Sequence, residues 1–533
     1  MSAPSTDALR RALRDPETYP HEPASVTLRE THISLVALVP RRVYKVKKAV
    51  ELGFLDFSTL AQRRHYCEEE VRLNSRLCAD TYEGVVPIVE TEAGLRVDPS
   101  DAVDGTTVEY AVRMRHLSHD QFLHNRVARD EVSRTDVDRV AGALSTFYKT
   151  RSSSPEVAAA GWIENLRVST DENFEQTAGQ VGDLLSSPAY DALRYYVDRF
   201  YEQNAALLHR RRAGGLVVDG HGDLRLEHVH LTDEALCIYD CIEFNDRLRH
   251  LDVANDLAFL AMDFDLHGRP DLGRRLVGRV AEALGDPELD TLIAFYKSYR
   301  AYVRGKVEGM QARDEGRAPT DRARSRRRAV RHYRWALRYA LAGERPLVVV
   351  VFGRSGTGKS TQAAALADAT GWAHLSSDRI RKRRAGVPQH RRSTPAERER
   401  LYTDRLTDLT YRTLQQRAVE RGRAHRGTVL DATYSAPARR DALRTALRAA
   451  DVPYAFVELT APDDVLRGRL SDRNATSAHA SDARADDFED LSARYEAPTA
   501  LESPFHVRVD TEDAPDDTTL AILKALIRLT SDA

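Results

Sequence analysis

The chain has 533 residues and a mass of 59.8 kDa, more than one ordinary hydrophobic core organises, so two or three domains are expected. Its 42% hydrophobic and 30% charged residues describe a globular, water-soluble protein and exclude fibrous and wholly disordered classes. Lys+Arg 79 against Asp+Glu 81 leaves a net charge of -2, so no whole-molecule field draws the chain to nucleic acid or an anionic membrane.

Residues 1–25 form an N-terminal extension without the apolar core of a signal peptide, and no run of about 18 apolar residues could span a bilayer. A cytoplasmic protein with no membrane partner is expected. Cys67, Cys78, Cys237 and Cys241 complete no zinc-finger spacing and are read as reduced, mostly buried thiols.

From residue 26 the runs Ile33 to Val39 and Val43 to Lys47, separated by Pro40-Arg41-Arg42, predict a hairpin. A helical pattern over about Leu60 to Leu77 and strands at Val85 to Val89 and Val108 to Val112 complete a small β lobe, about 26–117. Between about 118 and 315 the spacing is mostly helical, with short strands at Leu216 to Val218 and Leu236 to Tyr239. Residues 316–345 are arginine-dense with Tyr333, Trp335 and Tyr339 interspersed. They read as a connector helix that buries its aromatics and snorkels its arginines, in preference to a nucleic-acid grip. Strand and helix then alternate over 346–533, with apolar runs at Leu347 to Phe352, Thr428 to Leu430 and Tyr454 to Leu459, which implies a parallel sheet covered on both faces.

The segment Gly353-Arg354-Ser355-Gly356-Thr357-Gly358-Lys359-Ser360 lies between an apolar strand and a helix, the setting of a P-loop. Glycines there free backbone N–H groups to wrap phosphate oxygens, Lys359 reaches the β- and γ-phosphates, Ser360 ligates magnesium, and Thr361 follows in the same turn. ATP or GTP with Mg2+ is the implied cofactor pair. Asp378 and Asp431 fall where strands of such a sheet end; either can hold the magnesium shell or accept a proton from a hydroxyl.

On these residues, about Pro346 to Ala533 resembles the small P-loop kinases that include gluconate kinase, polynucleotide 5′-kinase and zeta-toxin relatives. The resemblance makes Asp378 the hydroxyl-activating base, Arg381 a substrate contact and Asp431 the second acidic, metal-holding position. It also implies a lid with Arg467, Arg469 and Arg473 ahead of Ser481-Asp482-Ala483, where Arg469 and Arg473 would neutralise charge on the transferred phosphoryl group.

A second constellation lies upstream. Gly220-His221-Gly222-Asp223-Leu224 follows one apolar run and Asp240-Cys241-Ile242-Glu243-Phe244 follows the next. With the order of elements before them, these residues resemble the aminoglycoside phosphotransferase and choline kinase class over about Val26 to Gln311. The resemblance implies Asp223 as catalytic aspartate, Asp240 as metal ligand and Glu243 as accessory ligand. Lys45 or Lys47 would grip phosphate, paired with Glu70, and strand alternation puts both lysines on one face without choosing between them. The family's metal-holding Asn is replaced by His228, a poor magnesium ligand. The metal then rests on Asp240 and Glu243, or this half has lost its chemistry.

The tandem order resembles a bacterial family of fused phosphotransferase and ATP-binding proteins. The expected architecture is an α+β bilobal protein-kinase-like domain followed by an α/β P-loop NTPase domain with a parallel sheet. The expected function is ATP-dependent phosphoryl transfer at two nucleotide sites to a hydroxyl of a small molecule, sugar or aminoglycoside-like. A nucleotide-switched regulator with an inactive N-terminal half and a polynucleotide 5′-hydroxyl kinase are the alternatives.

Overall fold

The computed structural model describes residues 4–53, 55–99, 104–150, 154–389, 391–474, 482–498 and 504–531. They form two compact units, Met1–Val168 with Asn204–Lys297, and Ser169–Gln203 with Ser298–Ala533. Among the described residues no helix is long and apolar enough to cross a membrane.

The first unit opens on a six-stranded antiparallel sheet. The expected hairpin is present as Ser34–Leu38 paired with Arg42–Lys47, and Lys45 stands between Val36 and Val112 on the flanking strands. The helix Leu60–Cys78 begins with a Thr59/Gln62 capping box, which satisfies two backbone donors that the first turn leaves open. It packs on this sheet and carries Glu70 on its buried side. The rest of the unit is mostly helical. Two short antiparallel ladders, Val217–Asp219 with His250–Asp252 and Val229–Leu231 with Leu236–Ile238, hold the loops that contain Asp223 and Asp240.

Within the N-terminal extension, Leu9, Leu13 and Tyr19 are buried with Val46 and Ile88 in the sheet core, and the Tyr19 hydroxyl donates to the Leu13 carbonyl at 2.7 Å. One expectation is corrected here: not all four cysteines are reduced thiols. Cys78 and Cys237 form a disulfide across 159 residues with Cα atoms 4.5 Å apart, while Cys67 and Cys241 are free and buried. Helix and strand ends that meet only in the folded chain leave no spacing in sequence from which to read the pair.

The second unit is built on a five-stranded parallel sheet in the order Ala373–Ser376, Thr428–Asp431, Val348–Gly353, Tyr454–Thr460, His506–Asp510. Val348 to Phe352 are fully buried, so each valine contributes roughly 1.5–3 kcal/mol of apolar burial and the central strand is anchored on both faces. The helices Lys359–Thr370, Asp404–Arg423, Pro437–Ala449 and Pro515–Ser531 accompany the sheet.

The boundary expected at 316–345 moves, because that segment belongs to the second unit. Pro319–Ala342 is one helix whose Tyr333, Leu337 and Tyr339 are buried, with the Tyr333 hydroxyl donating to Gln180 Oε1 at 2.7 Å. Arg334 Nε donates to the Asp368 carbonyl at 2.8 Å and Arg338 Nε to the Thr370 carbonyl at 2.5 Å. These arginines satisfy the open carbonyls at the C-terminus of the helix Lys359–Thr370, where a cation also suits the helix dipole. Part of the arginine density is therefore spent inside the fold.

Candidate functional site

In the second unit the P-loop conformation rests on its glycines. Gly353 and Gly356 have φ of 140° and 94°, and a Cβ on Gly356 would stand 3.1 Å from the Leu466 carbonyl. Lys359 Nζ donates to the Arg354 carbonyl at 2.6 Å, and Ser360 Oγ donates to Asp431 Oδ2 at 2.8 Å. Asp431 ends the strand beside the P-loop strand, the usual ligand edge of an open α/β sheet. Burial works to raise its pKa, but His374, Ser360 and Lys359 together hold its carboxyl below the ordinary aspartate value.

Asp378 lies in the first turn of the helix Ser377–Arg384. Arg381, one turn on, places Nη1 3.6 Å from Asp378 Oδ1 and its guanidinium 4.5 Å from the Tyr402 ring centre. Burial pushes the Asp378 carboxyl up and the nearby Asp431 carboxylate pushes the same way, against Arg381 and Lys359. The two acids that the sequence could not separate therefore stand in different surroundings, one bonded to the P-loop serine and the other beside buried Arg381, which stacks on the exposed Tyr402.

A cavity of about 370 Å³ runs from Gly356, Gly358 and Thr361 to Arg469, Thr511 and Pro515. Arg469 Nη1 donates to Thr511 Oγ1 at 2.9 Å, which joins the helix Asp463–Asn474 to the loop after the last strand. Arg467 instead pairs with Glu489 and stacks on Phe488. The Arg473 side chain and Ser481 lie outside the described residues. Thr511 and His374 escaped the sequence reading because each reaches the site from a strand end or edge that carries no motif.

In the first unit a cavity of about 600 Å³ is lined by Val36, Leu38, Lys45, Asp223, Tyr239 and Asp240, among others. Thr31 to Ser34 borders it, with the Thr31 hydroxyl accepting from the Ser34 N–H at 3.0 Å. Lys45 Nζ donates to Glu70 Oε1 and to Asp240 Oδ1, each at 2.8 Å. Lys47 Nζ donates to Glu70 Oε2 at 2.8 Å and to Glu243. Both lysines reach Glu70, but Lys45 borders the cavity, as does buried Glu243, whereas Lys47 does not. Glu243, expected as an accessory metal ligand, is held here by Lys47. Burial raises the Asp240 pKa on its own, yet Lys45 and His228 outweigh it and keep that carboxyl well below the carboxylate range.

The loop around Asp223 is fixed by a residue that the sequence did not single out. Buried Asp256 accepts the His221 and Gly222 N–H groups at 2.8 and 3.0 Å and the Tyr148 hydroxyl at 3.1 Å. Burial pushes the His221 imidazole down to about 4, so it is neutral near pH 7. Asp223 Oδ2 accepts from Arg225 Nη2 at 3.0 Å, and Asp240 adopts a positive φ of 63° that only a fixed environment sustains. His228 Nδ1 lies 2.8 Å from the Asp223 carbonyl and its Nε2 3.5 Å from Asp240 Oδ2. Lys45, Glu70, Asp223, His228 and Asp240 are brought together from four separate elements.

A family model described as an AAA domain matches residues 348–498. Among solved structures, the chain is similar to a gluconokinase from Sinorhizobium meliloti 1021, at 23% identity over 35% of this chain and 95% of that one, with a TM-score of 0.27. It is also similar to a sugar kinase from Janibacter sp. HTCC2649, at 25% identity over 34% and 94% of the two chains, with a TM-score of 0.26. The uncharacterized proteins Rv2004c of Mycobacterium tuberculosis and Mb2027c of Mycobacterium bovis are each 31% identical over 474 residues, 88% of this chain and 90% of theirs. Identity at that level along nearly the whole length means that the chain belongs to the family of these mycobacterial proteins.

Proposed function

We propose that the protein is an ATP-dependent phosphotransferase whose P-loop unit moves the γ-phosphoryl group to a hydroxyl of a small molecule, sugar or aminoglycoside-like. The observation that carries this reading is the Ser360–Asp431 hydrogen bond of 2.8 Å beside Lys359, with the Asp378 carboxyl in the same electrostatic neighbourhood. Ser360 and Asp431 offer hard oxygen donors, a set that suits Mg2+. Magnesium bound there supplies positive charge to the phosphate oxygens. The AAA-domain match over the same segment supports nucleotide handling.

In this reading Lys359 leaves the Arg354 carbonyl for the β- and γ-phosphates, and Arg469 with Thr511 borders the base end of the nucleotide. Arg381, already stacked on Tyr402, orients the acceptor. Asp378 takes the acceptor's proton as its oxygen bonds to the γ-phosphorus, the bond to the β–γ bridging oxygen breaks, and ADP departs. The raised pKa of Asp378 makes it a better base than an ordinary surface aspartate.

The first unit is proposed as a second nucleotide site of the aminoglycoside phosphotransferase kind. Lys45 would grip phosphate, Glu70 would hold Lys45, and Asp223 would orient the acceptor. The grouping of these residues at one cavity supports this reading. The test is ADP release with ATP and Mg2+ against panels of sugars, aminoglycosides and 5′-hydroxyl oligonucleotides. Acceptor-stimulated turnover should fall by about 10²–10⁴ in Asp378→Asn. Turnover unchanged for every acceptor would sink the assignment.

A polynucleotide 5′-hydroxyl acceptor is the second reading, favoured by Tyr402, 44% exposed beside Arg381 and Asp378, a surface on which a base can stack. Oligonucleotide affinity indifferent to salt would remove it.

A further inference from the structure

We infer that His374 is the positioning residue of the second unit's cation site: its ring donates to Asp431 Oδ2 and so holds the carboxylate with Oδ1 turned to the magnesium shell. The inference rests on the reading of the P-loop unit as a nucleotide site and adds to it a residue that no motif marks.

The placement follows from sheet register. His374 lies in the edge strand Ala373–Ser376, which pairs in parallel with Thr428–Asp431, His374 opposite Val429 and Ser376 opposite Asp431. Side chains two residues apart on a strand share a face, so His374 and Asp431 are diagonal neighbours on one face, a span that an imidazole can bridge. His374 Nε2 stands 3.4 Å from Asp431 Oδ2 and is buried without a hydrogen-bond partner. That separation is slightly longer than an aligned N–H···O bond, so a small movement of either side chain completes it.

The chemistry selects the donor. A buried ring nitrogen left unbonded costs free energy, and the acceptor within its reach is Asp431 Oδ2. Only a proton on Nε2 makes the approach favourable, since a lone pair there would face a carboxylate oxygen. The ring can donate in this way whether it is neutral or charged, so its net charge does not enter the argument. Ser360 Oγ already donates to the same oxygen at 2.8 Å. Two donors fill the two lone pairs of Oδ2 and fix the carboxylate plane, while no described residue donates to Oδ1. Oδ1 is then the hard oxygen left for the cation's shell. Held by the serine alone, whose oxygen must also serve the cation, the carboxylate could turn about its last torsion, which is broad, and lose that orientation.

The experiment is a Mn2+ titration of the full chain carrying a non-hydrolysable ATP analogue, read from the free-ion electron paramagnetic resonance signal, so that no turnover is needed. Binding lost in Ser360→Ala defines the P-loop site. At that site His374→Ala should weaken Mn2+ about tenfold, and His374→Gln, which keeps an amide donor near the Nε2 position, should recover most of the affinity. Binding of the analogue without divalent cation should be unchanged in both. His374→Met, which fills the space without a donor, replaces the alanine variant if that fails to fold. Unchanged Mn2+ affinity in the donorless variant, an equal loss in His374→Gln, or an equal loss of analogue binding without the cation overturns this inference alone. A Mn2+ titration that Ser360→Ala leaves unaltered overturns the cation-site reading of the P-loop unit and this inference with it.

Discussion

The two candidate sites differ in how they are written along the chain. In the second unit eight consecutive residues, Gly353 to Ser360, supply most of the phosphate cradle, and Asp431 reaches it from the neighbouring strand. In the first unit Lys45, Glu70, Asp223, His228 and Asp240 come from a sheet strand, a helix and two loops, with 195 residues between Lys45 and Asp240. A contiguous cradle is set by local backbone geometry. A dispersed one is set by packing, and its charges are neutralised within the fold by Lys45–Glu70–Lys47.

The largest effects should therefore separate the two units. Lys359→Ala is expected to lower acceptor-dependent ADP release in the second unit by about 10²-fold or more. Lys359→Ala protein that retains full turnover with every acceptor would place all the chemistry in the first unit. Glu70→Ala should act on stability first. Glu70 is buried between two lysines, so removing it is expected to destabilise the first unit by about 3–5 kcal/mol, read as a lower denaturation midpoint. An unchanged midpoint would mean that Asp240 and Glu243 suffice for both lysines.

His221 gives a pH-dependent contrast. Its folded pKa is depressed to about 4 against an ordinary value near 6.5, so between those values the unfolded chain binds more protons and stability rises with pH. The first unit should lose up to about 1.4 kcal/mol per pH unit as acid is added across that window. His221→Asn should flatten the slope, measured by chemical denaturation at stepped pH. The smallest effect belongs to the arginine-rich helix. Arg338→Ala removes a donor from the Thr370 and Gly371 carbonyls and should cost the second unit about 1 kcal/mol, with no change in oligonucleotide binding. Lost oligonucleotide affinity instead would return that helix to nucleic-acid recognition.

Much was legible before folding. The hairpin around Lys45, the helix of Glu70 and the apolar strands of the parallel sheet follow from periodicity, because burial of one or both faces writes a period of 2 or 3.6 directly into the residues. Asp378 and Asp431 were visible as acids at strand ends, but their separate partners were not, since Ser360 and Arg381 approach them through the register of the sheet and one helical turn. Asp256 and Thr511 carried no signal: one is a buried acid on a helix that reads as core, the other a threonine past the final strand. The boundary misread at 316–345 has the same origin, since an arginine-rich segment looks like a surface connector until its partners, the Asp368 and Thr370 carbonyls, are in place.

By itself the sequence determined the element types and the P-loop, which depend on residues within one turn or one strand of each other. Only the tertiary structure decided that Lys45 and not Lys47 borders the cavity, that Glu243 is taken up by Lys47, and that Cys78 and Cys237 are joined. Each of these depends on which charged or reactive atoms are left without water or a closer partner once distant segments pack. That competition is settled over a few ångströms between residues as many as 196 positions apart.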